Sequence, residues 1–272
     1  MKNPIESVLS CQNLQLKPRI IRMTTLIRSF IVFFFLTTTL HAKEYLFIGQ
    51  EYPPYNWTEK NEITGLAKEV IEKVCQKLVI KCTFKIIPVK RGLDMVKNGK
   101  ADGFMSFMQN EDRSEYSYFG AVFAKSNIAF ITFANQTSLY KKIEDLKDTT
   151  IGVTANSASA KILYGYKKNK VESMTIVDEV TVITLLKKLH HHRYGKRGLI
   201  FLNEDVANYF LKQNNYNELK TAFLGPTQKL HIGFSKKSID KKFADNFAIT
   251  LNELKKTSEL KDIYKKYGTK IE

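Results

Sequence analysis

The stretch from Lys100 to Arg113 carries the residues best suited to hold a small anion. Ser106 stands among Phe104, Met105 and Phe107, and Arg113 follows across a polar segment. So short an apolar run reads as a buried strand. Its hydroxyl and the guanidinium beyond it would then reach the carboxyl edge of an α/β sheet, where ligands of open sheets bind. A guanidinium is a planar, permanently charged fork that matches a carboxylate. The chemistry indicated is binding of a small carboxylated solute. Glu111, Asp112 and Glu115 offer the same guanidinium a surface ion pair instead.

Other residue types suggest other chemistry. Glu51 and Glu204 are two carboxylates that a cleft could bring together for acid–base work, although nothing in the sequence requires it. The phosphate-cradling and dinucleotide-binding glycine patterns are absent. His190, His191 and His192 are consecutive, so their side chains diverge rather than converge on one ion. Neither a metal nor a cofactor is expected. Tyr52, Tyr55 and Trp57 crowd a loop that Pro53 and Pro54 keep out of a helix. Arg91 opens a short helix, as a second positive charge for the ligand or as a solvated helix start.

The elements that must position these groups come in two similar series. The first runs strand Tyr45–Gly49, helix Leu66–Leu78, strand Thr83–Val89, helix Arg91–Asn98 and strand Ala101–Phe107. Val70, Ile71, Val74 and Leu78 share one face of the first helix. Tyr116–Gly120 reads as a turn, and Ser126–Phe133 as a strand. The second series runs strand Thr149–Thr154, a helix from Asn156 to about Tyr166, strand Ser173–Val177, helix Val180–Leu189, strand Leu199–Leu202 and helix Glu204–Gln213. Alternation of this kind predicts an α/β fold with mostly parallel strands flanked by helices. Strand Leu230–Phe234 and helix Lys241–Leu254 follow, then a last helix capped by Ser258 and ended by Gly268. These closing helices have no strands of their own, so they return to the first lobe. The chain then crosses between lobes twice, and two crossings form a hinge. Lobe 1 is expected over residues 43–133 and 224–272, and lobe 2 over residues 134–223.

Residues 1–42 read as a leader. Arg28 precedes the apolar run Phe30–Leu36, which is too short for a bilayer span of roughly 20 residues. Ala42 ends a cleavage-site pattern, and Met23 is a plausible start. Export to the periplasm is the expectation. The whole chain carries +16. Losing five basic residues (Lys2, Lys17, Arg19, Arg22, Arg28) and one acid (Glu6) with the leader brings this to +12. The lysines are scattered, with no basic arm, which argues against nucleic acid and for anionic solutes or an anionic membrane face. Cys75 and Cys82 remain as an even pair in an oxidising compartment, where a disulfide is the default. Two ligands are too few for a metal, and the spacing is wrong for a redox pair.

At this point the order of motifs resembles the periplasmic solute-binding proteins of amino-acid ABC transporters, solute-binding protein family 3, with the type II periplasmic-binding fold. The resemblance rests on Gly49-Gln50-Glu51-Tyr52-Pro53-Pro54-Tyr55, on Gly65-Leu66, and on Gly99 to Gly103 leading to Arg113. It continues through Leu146-Lys147-Asp148 before Ile151-Gly152-Val153, Glu204-Asp205-Val206-Ala207, and Leu260 to Tyr267. It implies that Arg113 grips a ligand carboxylate, with Ser106 on the strand lining the same pocket. Ser157 and Ser159 would meet that carboxylate at a helix N-terminus. Glu204 would bind the ligand ammonium, and Tyr52 would cover the ligand with Tyr55 and Trp57 nearby. Phe107-Met108-Gln109-Asn110 stand where the family has small hydroxyl residues. The resemblance further implies a monomer that hands its ligand to an ABC permease in the inner membrane. The same fold also hosts a periplasmic dehydratase of prephenate and arogenate and serves as a sensory module, so these are the alternative functions.

Overall fold

The computed structural model describes residues 43–269 and 271; the expected leader lies outside the described residues. The chain begins with β1 (Glu44–Gly49), a hairpin of β2 (Trp57–Glu59) and β3 (Glu62–Thr64), α1 (Leu66–Leu78), β4 (Lys81–Ile86) and α2 (Val89–Lys97). Strand β5 (Gly103–Met108) and the short α3 (Glu111–Tyr116) follow. Next comes the long β6 (Ser117–Phe133), then β7 (Thr150–Thr154), α4 (Ala158–Asn169), β8 (Thr175–Glu179), α5 (Val182–His190), β9 (Leu199–Asn203) and α6 (Glu204–Gln213). A second long strand, β10 (Leu219–Ser235), leads to α7 (Lys241–Leu254) and α8 (Ser258–Lys266).

One sheet runs in the order β4-β1-β5-β10-β6-β9-β7-β8. Strands β4, β1 and β5 are parallel, as are β9, β7 and β8. Between the two triplets, β10 and β6 pair antiparallel along their length. The Leu230–Phe234 part of β10 pairs with β5, whereas residues Ile128–Ile131 of β6 pair with β9. These two strands join the two triplets, and each is continuous. Every residue of β5 and β9 is buried, as strands covered on both faces should be.

The long strands correct the expected boundaries. Tyr116–Gly120, read as a turn, is mostly strand: Tyr118 and Phe119 pair with Phe234 and Gly233. Leu219–Lys229 is strand as well, although it contains Gly225 and Pro226. The register shift between Leu224 and Thr227 accommodates that proline, whose missing N–H makes a bulge its natural place. Thr257, not Ser258, caps α8, accepting from the Leu260 N–H at 3.4 Å.

Helix α7 packs back on the first triplet. Phe243 stacks on Tyr45 at 4.5 Å between ring centroids, and Phe247 meets Phe47 and Phe234 at 5.9 and 5.1 Å. Opposite it, Phe130 stacks between Phe201 and Phe223 at 4.2 and 4.5 Å. Cys75 near the end of α1 is bonded to Cys82 of β4. The closed loop is short, so the bond contributes about 2–3 kcal/mol by the chain-entropy argument. Replacing both cysteines with serine should lower the melting temperature by roughly 5–10 °C in a domain of this size. Calorimetry of the variant, beside the parent with and without reductant, checks this.

Candidate functional site

Ser106 sits in the middle of β5 with φ 31°, a left-handed value rare for a residue with a side chain. It lies where β10 shifts register between His231 and Gly233. Such strain persists only where the surroundings hold it. Here the holder is Asn56, fully buried, which accepts the Ser106 hydroxyl proton and donates its own amide to the Gln50 carbonyl at 2.7 Å. The strand end and the aromatic loop are thereby fixed to each other. The loop is also fixed to α1, because the Leu66 and Ala67 N–H groups donate to the Pro54 and Tyr55 carbonyls at 3.0 and 2.7 Å.

Beyond β5, the Asn110 side chain caps α3 by accepting from the Arg113 N–H at 2.9 Å. This turn brings the Arg113 side chain back over the strand. One guanidinium nitrogen donates to the Met108 carbonyl at 2.9 Å, and the group lies 4.7 Å from the centre of the Phe107 ring. Arg113 is only 8% exposed. Burial pulls its pKa below the ordinary arginine value, opposed by the nearby Tyr116, Tyr52 and Asp112. Among the described residues no carboxylate is within ion-pair distance of it, while its remaining donors face a cavity.

The opposite wall is built from helix starts. Ser157 caps α4 by accepting from the Ala160 N–H at 3.0 Å, and Ala158 and Ser159 form its first turn. Free N–H groups and the positive end of the helix dipole belong at such a turn. Asn203 caps α6 by accepting from the Val206 N–H at 3.1 Å, and its buried side chain lies beside the buried Tyr52 hydroxyl. Tyr52, Ser106, Arg113, Ser157, Ser159 and Asn203 thus line one cavity of about 40 Å³.

The remaining expected site residues do not line this 40 Å³ cavity. Glu204 follows the Asn203 cap by one residue, about 100° further round the helix. Its carboxylate accepts from Asn127 at 3.1 Å, and Asn127 accepts from Thr227 at 2.8 Å, so Glu204 ties α6 to both β6 and β10. Trp57 packs between Tyr209 and Tyr267, at 5.5 and 6.0 Å. Glu51 is exposed, with both carboxylate oxygens 3.2 Å from the Thr58 N–H. Arg91 is exposed on α2, because Gly92 and Val96 form that helix's buried face. Glu51 and Glu204 therefore do not face each other as an acid–base pair. The His190 Nδ1 lies 2.6 Å from a Glu218 carboxylate oxygen, and His192 stacks on Phe133 at 4.2 Å. Among the described residues no group of three or more potential ligands could hold a metal ion, and no helix is long and apolar enough to cross a membrane.

Asn203 was not expected in the site. An amide at a strand-to-helix junction signals a cap, but only the fold places its side chain in the cavity wall. Tyr55 was expected near the ligand and instead bridges the walls. Its hydroxyl donates to Asp205 of α6 at 2.5 Å, and burial together with that carboxylate pushes the phenol pKa upward. A second contact between the walls is exposed: Lys161 of α4 to Asp112 of α3, at 2.7 Å.

Comparison with known proteins agrees with this architecture. The chain is 23% identical over 205 residues to a probable histidine-binding protein of Campylobacter jejuni, covering 74% of this chain and 79% of that one. It is 24% identical over 223 residues to the probable amino-acid-binding protein YxeM of Bacillus subtilis, covering 80% and 81%. An ancestral arginine-binding protein bound to arginine superposes with a TM-score of 0.75 at 19% identity, over 84% of this chain and 99% of that one. That likeness establishes the type II periplasmic-binding fold. The sequence profile that matches residues 46–270 assigns the chain to a family, the bacterial extracellular solute-binding proteins, family 3.

Proposed function

We propose that the protein captures a small carboxylated solute, an amino acid or a related carboxylate, between two lobes. The observation that carries this reading is Arg113, a buried guanidinium with no carboxylate partner among the described residues and with donors facing a cavity. A buried charge is costly unless it is paired. A ligand carboxylate would supply the missing partner, and Ser157, Ser159 and the first turn of α4 would supply further donors. Lobe 1 comprises residues 43–133 and 224–272, and lobe 2 residues 134–223. The pairing of Ile128–Ile131 of β6 with β9 supports a boundary near the end of β6.

The solute docks first on Arg113, with Tyr52 and Ser106 beside it, and lobe 2 then closes. A cavity of about 40 Å³ holds a few waters at most, so an amino-acid-sized solute requires the lobes to part. Closure follows ligand binding because the ligand touches both lobes only in the closed state. Tyr55–Asp205, Trp57–Tyr209 and Asp112–Lys161 are the contacts that closure makes. The protein acts in the periplasm as a monomer after removal of residues 1–42, needs no cofactor, and delivers its ligand to an ABC permease.

A thermal-shift screen against the amino acids and their carboxylate analogues tests the reading. A binder at 100 times its Kd adds about 2.7 kcal/mol of stability, or roughly 5–10 °C here. At least one carboxylate should give that response. Silence across the whole panel, with turnover of prephenate, would replace the capture reading by an enzymatic one.

A further inference from the structure

The cavity at Arg113 adjoins a second space of about 240 Å³, and Gln50, Val89, Thr154 and Val182 line both. The two spaces differ in chemistry. In the inner one, Arg113 is the sole ionised side chain, and no aspartate or glutamate contributes to the wall. Its other polar side chains are uncharged: Gln50, Tyr52, Ser106, Thr154, Ser157, Ser159 and Asn203. A carboxylate is satisfied there. An ammonium would be desolvated beside a guanidinium with no anion to face, which is unfavourable on both counts.

The outer space is walled by Ile86, Ile87 and Pro88 on one side and by Val180, Val182 and Ile183 on the other. Val180 is 76% exposed and Ile183 is 42% exposed. Apolar side chains left open on both banks of a cleft mark a site for an apolar group. Glu51 is the only ionisable residue in this wall, and it is exposed and held by the Thr58 N–H.

Resting on the capture reading above, we infer that the solute is a monocarboxylate with an apolar tail and no ammonium group, such as a branched-chain or aryl 2-oxo acid. The carboxylate goes to Arg113 and the tail lies in the Ile86–Val180 groove. One fixed positive charge meets one negative charge, and the shared wall of the two spaces sets the tail's direction.

Calorimetric titration of the purified protein with 4-methyl-2-oxopentanoate, 4-methylpentanoate, L-leucine, pyruvate and L-arginine tests this. The two branched anions should bind at least 10-fold more tightly than L-leucine, which differs by its ammonium. They should also bind at least 10-fold more tightly than pyruvate, which lacks the tail. Val180→Asp, at an exposed position, should keep the parent melting temperature and weaken the branched anions at least 10-fold, with pyruvate unchanged. If L-leucine matches or exceeds its oxo acid, or if L-arginine binds tightest and loses affinity in Glu51→Gln, the inference is overturned and the capture reading stands. If none of the five binds, the inference falls, and an equal silence in the full carboxylate screen takes the capture reading with it.

Discussion

Arg113→Met should abolish carboxylate binding while leaving the melting temperature of the ligand-free protein unchanged or slightly raised. Removing one member of a buried, hydrogen-bonded charge pair costs about 2–5 kcal/mol, a loss of roughly 30-fold to several thousand-fold in affinity. The ligand-free protein loses far less. One hydrogen bond to the Met108 carbonyl and the contact with the Phe107 ring disappear, each worth about 1 kcal/mol. Against them stands the desolvation of a guanidinium that has no carboxylate partner among the described residues. Hydrophobic replacement of buried charges is often neutral or stabilising by about 1–4 kcal/mol. Titration with the preferred carboxylate and calorimetry of the same sample read both quantities. A sharp fall in melting temperature would mean that Arg113 serves the fold rather than the ligand.

Gly65→Ala should cost roughly 2–6 kcal/mol and reduce binding with it, combining backbone strain with forced repacking. Gly65 has φ 122°, and a β-carbon there would stand 2.4 Å from the Tyr55 carbonyl oxygen and 2.8 Å from the Asn56 α-carbon. Those are backbone atoms, and α1 holds them by hydrogen bonds to its first two N–H groups. The loop that carries Tyr52 and Asn56 would have to move, and Ser106 would lose its acceptor. Gly165→Ala is the matched control with the opposite sign. Gly165 lies inside α4 with nothing within 4 Å of the added carbon, so the change should stabilise by about 0.5–1 kcal/mol. Urea denaturation of the two variants, with ligand titration of each, distinguishes a local constraint from a general intolerance of glycine replacement.

The helices were legible because their information is local. The bounds of α1, α6 and α7 follow from apolar spacing, and the buried faces are those the spacing selects. Strands β6 and β10 were only half legible. Their central parts hold Gly120, Lys125, Asn127, Gly225 and Pro226, which signal turns when read alone. Pairing between strands almost a hundred residues apart overrides that preference. The site divides along the same line. Arg113, Ser106, Tyr52, Ser157 and Ser159 stand out by residue type and motif, and they meet at one cavity. Whether Asn203 or Glu204 faces inward is a matter of one helical step, and motif order does not resolve it. Trp57 was placed by its neighbours in sequence, whereas its packing partners Tyr209 and Tyr267 come from two distant helices.

The place of β10 in the sheet also bears on the order in which the protein is made. The edge of β5 that carries Ser106 is covered by Leu230–Phe234, which leave the ribosome only after β7 through α6. Until then β5 has an open edge, and α7, which packs on Tyr45 and Phe47 of β1, does not yet exist. The middle segment, by contrast, holds β7, β8, β9 and three helices in one unbroken run and completes its own parallel triplet early. A chain stopped short of β10 would present that triplet folded beside an unfinished partner.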